Sequence, residues 1–202
     1  MQLLPTQEEV ALILKETGAL RWGHFALPEG THTNQFLQLP LALRYHQHTR
    51  TLSVALSRLL RANPEISALI PELSVVTPAW GGLPVAFGMA EALRCRQVYW
   101  AEDQDGRLRF RQYMEDHRGE KVVMVDDTLR TGKKLRELKG LLESQGAQVL
   151  ALAVVVHQAR HDINDFDRVP LYTLAKIEAQ LYPDAASCPM CRSGEPAERV
   201  RM

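Results

Sequence analysis

The sequence predicts an α/β fold, with a mostly parallel central sheet flanked by helices. Three observations carry that prediction. The runs "LSVVT", "KVVMV" and "AQVLALAVVV" are almost continuously apolar, as strands are when helices cover both faces of a parallel sheet. Between them stand stretches whose apolar residues recur at helical spacing. The order strand, turn, helix, strand recurs at least twice along the chain.

Taken in order, Thr6 opens a helix, and Glu9 three residues on completes a capping box. Val10, Leu12, Ile13, Leu14 and Ala19 give that helix an apolar side, and Gly18 ends it. "HFALPEGTHTNQFLQLP" reads as a loop or hairpin with an alternating Phe36, Leu37, Leu39 segment. The spacing of Leu52, Ala55, Leu56, Leu59 and Leu60 predicts a helix over 49–62, broken by Asn63-Pro64. A buried strand from Leu73 to Thr77 then leads through a Pro/Gly turn into a helix ending near Arg94. "QVYWAE" is a strand, and Asp105-Gly106 signals a hairpin. "KVVMVDD" is a strand, "TLRTG" a turn, and 133–145 a helix. "AQVLALAVVVH" and then "VPLYTLAKIEA" complete about five strands, and the tail "CPMCRSGEPAERVRM" reads as irregular.

The 202 residues suit one domain, with 46% of them apolar. Lys plus Arg and Asp plus Glu both number 24, so the balance excludes a general nucleic-acid coat or a polybasic membrane binder. Three cysteines and an amphipathic, acid-bearing N-terminus without signal-peptide character predict a reducing, cytoplasmic setting. No apolar run approaches the ~18 residues of a membrane span.

The chemistry concentrates in "VVMVDDTLRTGKK". Two adjacent carboxylates, Asp126 and Asp127, repel each other, and the turn after them is basic. In an open parallel sheet, ligands sit outside the carboxyl ends of the strands. The amides of that turn and the helix start near Lys133 make an anion site; Thr131 adds a hydroxyl, and Gly132 lets the backbone come close. Two carboxylates suit sugar hydroxyls or hydrated Mg²⁺. One phosphorylated sugar satisfies both halves. The plain alternative has Asp127 capping the helix and the lysines facing solvent.

"VVMVDDTLRTGKK" resembles the phosphoribosyl-pyrophosphate motif of the type I phosphoribosyltransferases. "VVTPAWGGLPVAFGMAEAL" is similar to their pyrophosphate loop, in the form used by orotate phosphoribosyltransferases. "GALRWGHFALPEGTHTNQFLQ" resembles the segment around the base site, and "CPMCRSGEP" the tail of one bacterial branch. "YWAEDQDGRLRFRQYM" stands where that branch has its mobile lid. The resemblance implies that Asp126 and Asp127 hold the ribose hydroxyls. It implies that Thr128, Leu129, Arg130, Thr131, Gly132, Lys133 and Lys134 cradle the 5′-phosphate, and that Ala79, Trp80, Gly81 and Gly82 meet pyrophosphate. Asp127, Arg107 and Arg109 are the catalytic candidates. The implied reaction is phosphoribosyl transfer to a pyrimidine base, orotate foremost, in a homodimer. Mg²⁺ would enter on the substrate, reached by Asp126 or Asp127 only through water. A small hood of about 18–45 and 170–202 would sit on a core of about 46–169.

The chain departs from the pattern at Thr128, Arg130 and Lys134, and at Trp80, whose ring would gate the site, stack on a ligand or fill space. Its lid, from Gln97 to Glu120, has no lysine; Arg107, Arg109, Arg111, Arg118 and a titratable His117 stand there instead. Two alternatives therefore stay open: a binding or regulatory protein that senses phosphoribosyl pyrophosphate or a nucleotide, and a transferase for another base. Cys188 and Cys191 form a lone C-x-x-C, a weak zinc signal read first as structural or packing, with metal and redox roles as the lesser alternatives. The seven histidines show no metal spacing, and His24 and His32 are read as neighbours of the site.

Overall fold

The computed structural model describes residues 4–78, 80–110, 117–158, 166 and 169–200. Helix α1 (Gln7–Glu16) carries the expected capping box: Thr6 Oγ1 accepts from the Glu9 amide at 3.1 Å, and Glu9 Oε2 accepts from the Thr6 amide at 2.7 Å. Strands β1 (Leu20–Ala26) and β2 (His32–Leu37) form an antiparallel hairpin. Short α2 (Pro40–Leu43) leads into α3 (His46–Arg61), which starts three residues before the apolar spacing does. Asn63 ends α3 but also caps α4 (Pro64–Leu69), accepting from the Glu65 amide at 3.0 Å, so the predicted break is a new helix start.

Strand β3 (Ser74–Pro78) is followed by α5 (Leu83–Leu93) and β4 (Gln97–Gln104). Asp105 and Gly106 take positive φ of 53° and 82° and turn β4 into β5 (Arg107–Phe110), as that dipeptide predicts. Strand β6 (Lys121–Leu129), α6 (Lys133–Ser144), β7 (Gln148–His157) and β8 (Leu171–Lys176) complete the larger sheet. Its order is β5-β4-β3-β6-β7-β8, parallel apart from edge strand β5.

The layers follow from strand alternation. Val123, Val125, Ala151 and Ala153 point to the face covered by α1, α3 and α5. Met124, Leu152 and Val154 point to the face covered by α6 through Leu135, Leu138 and Leu142. Both faces are dry, which is why the strand sequences lack polar alternation.

Three features differ from the sequence expectation. The "VPLYTLAKIEA" strand is not the last: β9 (Leu181–Tyr182) and β10 (Glu198–Arg199) follow, with α7 (Pro189–Arg192) between them. These short strands join the hairpin in a second sheet, β10-β1-β2-β9, so the tail is ordered by partners distant in sequence. The turn after the acid pair begins later than expected. β6 runs on to Leu129 because β7 accompanies it, pairing Thr128 with Val156 and Leu129 with His157. Finally, β8 belongs to the larger sheet, while the strands of the second sheet come from residues 20–37 and 181–199.

Candidate active site

Connections leave the larger sheet in opposite directions from its middle. From β3 the chain passes to β4 on one side; from β6 it passes to β7 on the other. The gap between β3 and β6 is therefore a topological switch point, where α/β sheets open a crevice. Pairing between them covers Ser74–Val122 to Val76–Met124 and goes no further. Beyond it, the Gly81–Gly82 turn and the acid pair face each other across the gap.

Their contact is close. A Cβ on Gly81 would lie 2.6 Å from Asp127 Oδ2, and one on Gly82 would lie 2.2 Å from Thr77 Oγ1 and 2.8 Å from Asp126 Oδ1. A side chain at Gly81 would displace the Asp127 carboxylate, and one at Gly82 would also press on the Asp126 backbone, 3.1 Å away at Cα. The buried Thr77 hydroxyl has no hydrogen-bond partner among the described residues, and so leaves a polar atom for a ligand or water at this junction.

A cavity of about 290 Å³ opens beside the acids. One wall is Asp126, Asp127 and Thr128, with the loop of Arg130, Thr131 and Gly132 and the start of α6 at Lys133 and Lys134. The facing wall is Leu37, Gln38, Leu39 and Pro40, from the end of β2 and the start of α2. Gly132 has a φ of 67° at the cap of α6, a left-handed turn that glycine adopts without strain. The loop is braced from below: Arg136 donates to the Thr131 carbonyl at 2.6 Å, and the Lys133 amide donates to Thr131 Oγ1 at 3.3 Å.

The acids stand in an unfavourable setting for two charges. The Asp127 amide donates to Asp126 Oδ1 at 2.9 Å. Burial, and then the neighbouring Asp127 charge, push the Asp126 carboxyl well above the usual range. Burial also raises Asp127, opposed by the Thr128 amide and the Arg130 charge. Both carboxyls are thereby shifted toward their neutral forms. This oxygen-donor pair, short of positive charge, fits a Mg²⁺-bearing substrate.

The remaining predicted residues divide. Arg130 donates to the Leu37 carbonyl, so its guanidinium ties the loop to β2 across the cavity. The Lys134 ammonium reaches out to Asp103 on β4 and lies 3.7 Å from Glu137. Leu129 is buried in the core under α6. Trp80 is 75% exposed beside the Gly81–Gly82 turn, so it fills no interior space. Arg107 and Arg109 share the exposed face of β5, as their alternation predicts, and are not among the residues lining the cavity. Ala79 and Arg111 lie outside the described residues.

His117 is buried at the opposite end of the sheet, where its Nδ1 meets Glu120. His24 and His32 do not line the cavity but face Cys188 and Cys191. The wall at Leu37–Pro40 was legible only as part of a longer segment, since nothing local marks those four residues.

The phosphoribosyl transferase domain model matches residues 70–182, which span the Gly81–Gly82 turn and the acid pair. An orotate phosphoribosyltransferase of Carboxydothermus hydrogenoformans is 35% identical over 182 residues, covering 90% of each chain. One from Thermotoga maritima is 31% identical, covering 93% of this chain and 94% of its own. Among solved structures, an orotate phosphoribosyltransferase from Aeropyrum pernix shares the fold with a TM-score of 0.62 at 23% identity, over 83% of this chain and 93% of its own. The chain belongs to the phosphoribosyl transferase family.

Proposed function

We propose that this chain transfers the ribose 5-phosphate group of phosphoribosyl pyrophosphate to orotate, releasing pyrophosphate, as a cytoplasmic homodimer. The observation that carries it is the meeting of an acid pair, the Gly81–Gly82 turn that abuts it and the Arg130–Lys134 loop at a helix start beside one cavity. The named relatives favour orotate as the base. Three free thiols among the described residues favour a reducing compartment.

In this reaction the C1–oxygen bond to pyrophosphate breaks as the C1–nitrogen bond to the base forms. Positive charge develops on the sugar ring and negative charge on the leaving group. Mg²⁺, when bound, would supply neutralising charge to the pyrophosphate. Asp126 and Asp127 would accept hydrogen bonds from the ribose 2′- and 3′-hydroxyls and hold the ring against the crevice. The loop amides and the Thr131 hydroxyl would hold the 5′-phosphate, fixing the other end of the sugar. The Gly81–Gly82 backbone would approach the pyrophosphate, where preorganised donors stabilise developing charge. The wall at Leu37–Pro40 would carry the base and exclude water. Arg107 and Arg109, exposed on β5, would serve the neighbouring subunit's crevice as part of a lid.

The exposed arginines and lysine-free lid also favour a second reading, a protein that binds phosphoribosyl pyrophosphate without turning it over. A pyrophosphate-release assay with orotate, uracil and hypoxanthine separates the two. Transfer predicts release with orotate, and a fall of about a hundredfold for Asp127→Asn through lost positioning of the sugar. Thermal stabilisation by phosphoribosyl pyrophosphate with no release from any base would establish the binding protein instead.

A further inference from the structure

The hood carries a side-chain cluster that the crevice does not use. His24 on β1, His32 at the start of β2, and Cys188 and Cys191 around α7 bring four ligand atoms within 4.8 Å of one another. Cys188 is 0%, His24 4% and His32 9% exposed. His24 Nε2 lies 3.5 Å from each sulfur, and Cys191 Sγ lies 3.4 Å from His32 Nδ1. A tetrahedral zinc site with Zn–N of about 2.0 Å and Zn–S of about 2.3 Å has N···S edges of about 3.5 Å. Those three separations therefore already have the dimensions of a filled site. The two ring nitrogens, 2.8 Å apart, need to open by roughly half an ångström to reach the corresponding N···N edge.

A second observation concerns the histidine tautomer. His24 Nδ1 lies 2.8 Å from the Glu195 carbonyl oxygen, which can only accept. Nδ1 therefore carries the proton, and the Nε2 lone pair points into the cluster. A backbone carbonyl holding the far nitrogen is the outer-shell arrangement found around metal-bound histidines. Without a cation, that Nε2 lone pair accepts from His32 Nδ1–H at 2.8 Å, and the two thiols add only weak hydrogen bonds to the imidazoles.

We propose that His24, His32, Cys188 and Cys191 form a closed Cys₂His₂ structural zinc site that fastens the C-terminal segment to the β1–β2 hairpin. Four protein ligands leave no open position, so the site is structural and not catalytic. Binding releases the two thiol protons to solvent and moves the His32 proton from Nδ1 to Nε2, freeing Nδ1 as a ligand, and the paired thiolates balance the Zn²⁺ charge. The site bears on the crevice indirectly, because β2 ends in the wall at Leu37.

The test uses the full chain, purified under reducing conditions. Elemental analysis should find about one zinc per chain in the wild type and in Cys95→Ser, and well under half of that in Cys191→Ser and His24→Ala. Because the variants can fail to fold, the wild type supplies its own measurement. Apo protein titrated with Co²⁺ should give the intense visible bands of a tetrahedral thiolate site, saturating at one equivalent, and removing zinc with a chelator should lower the thermal midpoint. Wild-type protein that takes up neither metal, a Cys188–Cys191 disulfide under these conditions, or full zinc content in Cys191→Ser would each overturn the proposal.

Discussion

Asp126 shows how a single side chain sets function against stability. Its folded pKa is raised, so the consequence for folding has a definite sign. Below the ordinary aspartate value both states are protonated and the group costs nothing. As pH rises past that value, the unfolded chain ionises while the folded chain keeps its proton, and stability falls until the raised folded value is passed. Asp126→Asn keeps the oxygen that accepts from the Asp127 amide and removes the charge. We expect the ligand-free variant to melt higher by about 2–4 °C for each kcal/mol regained, with weakened binding of the Mg²⁺ complex of phosphoribosyl pyrophosphate. Calorimetry checks both. Gly82→Ala tests the crevice from its other side. The new methyl would lie 3.1 Å from Asp126 Cα as well as against Thr77, so the backbone must shift. The expected cost is about 1–3 kcal/mol in urea unfolding, with loss of turnover. These residues were legible in the sequence because adjacent acids and paired glycines are poor choices for folding alone. Arg130 was not: its side chain is positioned by the Leu37 carbonyl, 93 residues away.

At the scale of elements, the larger sheet is pinned at the end opposite the crevice. Glu120, just before β6, accepts from Gln97 Nε2 at 2.6 Å and Tyr99 Oη at 3.0 Å, and also meets Ser74 and His117. The starts of β3, β4 and β6 thus share one carboxylate. Burial pushes that carboxyl up, but the bonds from His117, Ser74, Gln97 and Tyr99 outweigh it and hold the group below its usual range. This stabilisation is fully present above the ordinary glutamate value and is lost as pH falls through the lowered folded value. Glu120→Ala should cost about 1.5–3 kcal/mol in urea unfolding at neutral pH, and less under acid conditions where the carboxylate is protonated. The hairpin of β4 and β5 is held separately, by the Leu108 amide donating to Glu137 on α6 at 2.5 Å. Element type was legible along the larger sheet because apolar runs and helical spacing are local. The end of β6 was misplaced because its last residues are extended by a neighbour, not by their own propensity.

For the whole molecule, a mixed dimer tests whose crevice β5 serves. If Arg109 acts on the neighbouring subunit, Asp127→Asn and Arg109→Ala homodimers are each impaired. A mixed dimer then contains one crevice with both residues intact. Random reassociation should recover about a quarter of wild-type turnover. Recovery of none would assign Arg109 to its own subunit's crevice, whereas an Arg109→Ala homodimer with wild-type turnover would remove it from catalysis. The second sheet was the least legible part of the fold. β9 and β10 have two residues each, too short for any periodicity, and their strand character comes only from β2 and β1. The convergence of His24 and His32 with Cys188 and Cys191 was hidden for the same reason, since spacing along the chain says nothing about strands paired from opposite ends. That pairing also bears on how the molecule is made. β10 must cross nearly the full contour of the polypeptide to reach β1, and loops that long close slowly. The larger sheet, whose strands all lie within residues 74–176, can thus close before the second sheet gains its outer edge at β10.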